Sequence, residues 1–191
     1  MSRRTYAAAL DDVLVPMGFK RGERSWSRTV GTMLEEIGLQ KSQIAGTTAN
    51  LWSKDLATEE LLRQAIPWKR PLDLLPSVYR IGTLMSGNDR WWKNDPDGPI
   101  ELAEAIKTHA PSFFEARRNL EDQARCFGRA EPRWKPGSTA SRIYLALTLY
   151  RMGEMEEARA VLQNPPKTAP ASWLAQAESV RKWIECASEA K

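Results

Sequence analysis

Apolar positions alternate between helical and strand-like spacing along the chain. From Tyr6 they recur at helical spacing through Leu10, Val13, Leu14 and Met17, which predicts an amphipathic first helix with Ser2 as its N-cap and Gly18 at its stop. Three segments of strand-like character follow, Arg24 to Val30, Met33 to Gln43 and Thr47 to Ser53, separated by Gly31 and by Ala45-Gly46. Connections this short make an antiparallel meander the economical arrangement. Thr58 to Ile66 returns to a helical pattern, after which Pro67, Pro71 and Pro76 hold an irregular stretch. Ser77 to Leu84 reads as a fourth strand. A polar loop then leads to a helix from Ile100 to Ala110, and Pro111 starts or kinks another from Ser112 to Phe127.

The stretch "GRAEPRWKPGS" (Gly128 to Ser138) has the composition of a linker, and the remainder is helical: Thr139 to Met152, a turn at Gly153, Glu154 to Gln163, a break at Pro165-Pro166, then Ala171 to Ser188. "YLALTLYRMGEMEEARAVL" resembles one hairpin of a tetratricopeptide repeat. A single copy cannot bury its own apolar face, so it predicts a docked helical hairpin rather than a peptide-binding array. The expected fold class is therefore α+β: an antiparallel meander of about four strands with helices packed on it, followed by a helical hairpin and one more helix. The expected organisation is an α+β domain over 1–128, a linker over 129–138 and a helical extension over 139–191.

Composition narrows the chemistry. A hydrophobic share of 42% and a charged share of 27% belong to a globular protein. Asp11 and Asp12 interrupt the first apolar run and no stretch approaches about 18 apolar residues, so neither a secretory signal nor a membrane span is expected and the location expected is cytoplasmic. Cys126 and Cys186 lie far apart outside any C-x-x-C pattern and read as reduced thiols on helices. His109 is the one histidine; it falls where a helix end is predicted and reads as a surface or capping residue. No transition-metal set, cofactor motif or Gly-rich phosphate loop is indicated, so no cofactor is expected. The pairs Glu35-Glu36, Glu59-Glu60 and Glu156-Glu157 read as solvated edges or helix faces. The net charge of +4 is spread thinly, without the clustered basic stripe of a protein that binds phosphate backbones.

Strand alternation singles out a polar face. If Ile37 and Leu39 pack on the first helix, the opposite face presents Gln40, Ser42, Asn50 and Trp52, with Trp26 and Arg28 as further candidates. Amides and tryptophans suit recognition of a ligand or partner. The alternative is a polar network beneath a loop, where the same amides satisfy loop backbone. A second constellation is Asp89, Arg90, Trp91 and Trp92. Arg beside two Trp is hot-spot chemistry at protein interfaces, or else one Trp anchors the loop while Asp89 pairs Arg90.

Taken in order, "MGFKRGERSWSR" (Met17 to Arg28), "IGLQKSQ" (Ile37 to Gln43), "ANLW" (Ala49 to Trp52) and "RIGTLMSGNDRWW" (Arg80 to Trp92) resemble the bacterial family of domain of unknown function 4304. The resemblance covers roughly residues 3–128 and departs at Leu51-Trp52, where the family pattern has a glycine soon after the asparagine. It implies a bacterial source and a loose association with conflict and immunity proteins, and no reaction. Three functions are carried forward. The first is a non-catalytic module that binds another bacterial protein, in an immunity-type role. The second is a small-molecule-binding protein or enzyme using Gln40, Ser42, Asn50 and Arg90. The third is a single-stranded nucleic-acid binder using Arg24, Arg28, Arg90 and the tryptophans as stacking platforms.

Overall fold

A computed structural model describes residues 5–66, 78–129, 139–163 and 169–189. Ser2, Trp68 and most of the segment read as a linker lie outside the described residues. The chain divides into two compact units, one from 1–54 with 77–115 and the other from 55–76 with 116–191.

In the first unit, α1 (Tyr6–Leu14) is capped by Thr5, whose hydroxyl accepts from the Ala8 N–H. The meander follows as β1 (Lys20–Arg21), β2 (Ser25–Val30), β3 (Met33–Ser42) and β4 (Gly46–Asp55), and β5 (Val78–Arg80) closes an antiparallel five-stranded sheet in sequential order. The α+β meander expected from the sequence is therefore present, with the short β1 added at one edge. Trp26 faces Ile37 across β2 and β3. Both are fully buried with Leu10, Leu14, Leu51, Leu102 and Ile106 in one core.

Two expectations fail here for identifiable reasons. The fourth strand stops at Arg80, and Ile81–Ser86 turns into a short helix, α3, whose Ile81 and Gly82 are buried. The helix α4 (Gly98–Glu115) continues past Pro111 without ending. Leu102, Ile106, Ala110, Phe113 and Phe114 form one uninterrupted buried stripe across that proline, and this burial outweighs a helix-interior penalty of about 3 kcal/mol. His109 consequently lies in mid-helix and half-buried, not at an end.

Between α3 and α4 the chain lies along β4. Trp92 and Thr47 exchange both backbone hydrogen bonds at 2.8 Å. Thr48 Oγ1 donates to the Arg90 carbonyl at 3.0 Å, and Tyr6 Oη donates to the carbonyls of Trp92 and Lys93 at 3.1 and 2.6 Å. Two glycines permit this approach. A Cβ on Gly46, whose φ is +106°, would stand 2.2 Å from the Trp92 carbonyl oxygen, and one on Gly82 would stand 2.4 Å from the Arg90 nitrogen.

The second unit comprises α2 (Leu56–Ala65), α5 (Leu120–Ala124) with the wide turn Arg125–Arg129, and α6 (Thr139–Met152), α7 (Met155–Gln163) and α8 (Ala171–Glu189). Every residue from Ile143 to Leu149 is buried, as befits a helix enclosed on all sides. Asp55 caps α2 through the N–H groups of Ala57 and Thr58, and its other oxygen accepts from Gln123 at 3.1 Å and from Arg151. Tyr144 donates to Glu59, which is buried. Glu59 and the fully buried Glu35 thus contradict the reading of these carboxylates as solvated.

Two predictions follow from this packing. Burial opposes ionisation of Asp55, but hydrogen bonds from Arg151 and Gln123 and the Arg151 charge outweigh it and hold the carboxyl below its ordinary value. A carboxyl depressed in the folded state stabilises above its unfolded value and loses that contribution as pH falls through the folded one. Asp55→Asn is expected to cost about 3 kcal/mol at neutral pH, with the gap to wild type narrowing below about pH 4; urea unfolding at two pH values measures both. Gly82→Ala reverses a familiar sign. Alanine in an open helix stabilises by about 0.5–1 kcal/mol, whereas here overpacking against Arg90 is expected to cost about 1–3 kcal/mol in the same assay.

Candidate functional site

The register of the sheet separates the candidate residues into two faces. Trp26 and Arg28 belong to the inner face, opposite Ile37 and Glu35, so their assignment to the polar face is corrected. Trp26 is buried and its Nε1 donates to Asp11 Oδ1 at 2.8 Å, while Arg21 binds the other oxygen of Asp11. Arg28 donates to Glu35 Oε2 at 2.7 Å and to the Met17 carbonyl, with its guanidinium 4.4 Å from the centroid of the Phe19 ring. This ion pair ties β2, β3 and the turn after α1 together, and its partners leave Arg28 little to offer a ligand.

The outer face carries Gln40, Asn50 and Trp52, all half-buried. Asn50 Nδ2 donates to Gln40 Oε1 at 3.0 Å, and Trp52 Nε1 donates to Glu36 Oε2 at 3.1 Å. The Trp52 ring lies over Gly38, where an added Cβ would approach it to 2.7 Å. This explains the glycine in mid-strand: it makes room for an indole lying flat along the sheet. Ser42 plays a different part. Its Oγ accepts from the N–H groups of Ile44 and Ala45 at 3.3 and 3.1 Å, so it closes the turn between β3 and β4.

The Asp89 to Trp92 constellation is split between the faces. Trp92 points into the core and is 2% exposed. Its Nε1 is buried with no acceptor among the described residues, a deficit of about 1–3 kcal/mol, so ring burial and the Thr47 backbone pair hold it. Arg90 stands 4.9 Å over that ring and donates to Glu101 at 2.9 Å. Trp91 turns the other way, half-buried, with Nε1 donating to Asp89 Oδ2 at 3.1 Å. Asp89 forms an ion pair with Arg80, and Arg80 stands 5.2 Å over the Trp91 ring.

Arg80 was not among the residues singled out from sequence, although one signal was there to find it. Asn50 faces Arg80 and Trp52 faces Val78 across β4 and β5, so strand alternation alone places Val78 and Arg80 beside the amide and the indole. The outer face is therefore a strip of Gln40, Asn50, Trp52, Val78, Arg80, Asp89 and Trp91. Val78 is 45% exposed, and the Arg80 and Asp89 side chains are 38% and 41% exposed.

The chemistry of this strip is that of contact. Its amides bond each other, its indole N–H groups bond carboxylates, and what remains turned outward is ring surface, the Val78 side chain and a guanidinium. Among the described residues no group of three or more His, Cys, Asp or Glu could hold a metal ion. Cys126 and Cys186 are not joined in a disulfide, and no helix among the described residues is long and apolar enough to cross a membrane.

No curated protein and no solved structure matches the chain. A family model described as Domain of unknown function (DUF4304) matches residues 10–110. That span runs from α1 through the whole sheet, the Arg80 to Trp92 strip and α4 to Ala110, and it takes in more than half of the 191 residues. The chain belongs to the family of domain of unknown function 4304.

Proposed function

We propose that this protein is a non-catalytic interaction module whose contact surface is the outer face of the sheet, centred on Trp91 and Arg80, and whose partner is another protein. One observation supports this reading above the others. Trp91 is held half-exposed by Asp89 at its N–H edge and by Arg80 over its ring, so its orientation is fixed before any partner arrives. A rigid aromatic with a neighbouring arginine loses little conformational entropy on binding, and such pairs are enriched among residues that dominate interface energies. Trp52 and Val78 extend the same strip and supply apolar area around that centre. The polar atoms beneath are already bonded to one another, so covering the strip leaves few of them unpaired.

Both Arg80 and Trp91 can be truncated without touching the core. Wild type, Trp91→Ala and a control, Lys182→Ala on α8, are immobilised and exposed to lysate of the source organism. Proteins retained on wild type and on the control are expected to fall at least tenfold on Trp91→Ala, the order of a hot-spot loss of about 2 kcal/mol. Equal retention on Trp91→Ala, or no specific retention on wild type, would overturn the assignment.

A further inference from the structure

The inner side of the sheet carries a second feature, beyond the edge of the core. Two adjoining hollows of about 350 and 270 Å³ share Ala7, Leu39 and Lys41 among their lining residues, which makes one groove between the start of α1 and the end of β3. Volumes of this size suit small ligands. Its apolar lining comes from Ala7, Trp26, Leu39 and Tyr6. Leu39 continues the inward stripe of Ile37 yet remains only partly buried, so the groove is an apolar strip that the core does not cover.

Two cations, Arg24 and Lys41, stand at its rim. Lys41 continues the inward side of β3 past Leu39, and the Arg24 carbonyl accepts from the Leu39 N–H at 3.0 Å, so the two cations flank one residue. Both line the 270 Å³ hollow. Elsewhere in this unit Arg21, Arg28, Arg80 and Arg90 each have a carboxylate partner, namely Asp11, Glu35, Asp89 and Glu101. Lys41 and Arg24 have none within 4.0 Å among the described residues. Of the two carboxylates in the lining, Asp95 accepts the Gly98 N–H at 2.7 Å, and Glu23 sits exposed in the turn before Arg24. These two would repel a multiply charged anion and leave room for a single negative charge.

We propose that this groove binds an amphipathic monoanion of the medium-chain carboxylate class. The alkyl chain lies on Ala7, Leu39 and Trp26, and the carboxylate sits between Lys41 and Arg24. The area buried supplies attraction and the cation pair supplies selectivity for the charged head.

Decanoate and decanol differ in the head group alone and are titrated calorimetrically into the 191-residue chain. Decanoate is expected to bind at least tenfold more tightly than decanol. The double variant Lys41→Ala/Arg24→Ala, at two exposed side chains with no ion pair or side-chain hydrogen bond among the described residues, should lose that preference with an unchanged thermal midpoint. Ala7→Phe, which fills the groove, should weaken both ligands. The proposal fails if decanoate does not bind, if the double variant keeps the preference, or if Ala7→Phe leaves binding intact.

Discussion

One backbone pair sets the geometry of the first unit. β4 has a free edge longer than the three residues of β5 can cover, and Trp92 closes its start by exchanging two hydrogen bonds with Thr47. Because successive side chains along an extended segment point to opposite sides, fixing the backbone there sends Trp92 into the core and Trp91 outward. The supporting contacts serve this placement. Tyr6 and Thr48 donate to the carbonyls on either side of the pair, and Gly46 and Gly82 leave room for the backbone itself. The strip centred on Trp91 is therefore a consequence of covering an exposed sheet edge.

Hydrogen-bond satisfaction then decides which atoms remain available. Trp26, Trp52 and Trp91 each give their indole N–H to a carboxylate, from Asp11, Glu36 and Asp89. Gln40 and Asn50 spend a donor and an acceptor on each other. In the second unit the same rule works in the interior, where Asp55 binds α2, α5 and α6 through four protein groups. A surface whose polar edges are already bonded presents ring faces and a guanidinium, whereas the groove beside Lys41 presents two cations with no carboxylate within 4.0 Å among the described residues.

The meander was legible because alternation and short glycine turns leave few other arrangements for β2, β3 and β4. The pairing of Gln40 with Asn50 on one face followed from the same period. What escaped depended on contacts distant in sequence. Nothing local shows that Trp26 pairs with Asp11, or that Arg28 and Glu35 form a buried bridge, because alternation does not say which face is the inner one for β2. Pro111 reads as a break until the buried stripe on both sides of it is seen. Ile81 to Leu84 has strand-like composition, and its helix follows from packing on α4 and from the approach of Arg90 to Gly82.

Native-state hydrogen exchange at the Trp92 and Thr47 amides tests the central role of this pair most directly. If the pair fixes the loop to β4, both amides will exchange as slowly as those of Ile37 and Leu51 in the middle of the sheet, at the rate of cooperative opening. Exchange at the rate of the exposed loop amide of Asn88 would contradict it, and would mean that Trp91 is not held in place by the sheet.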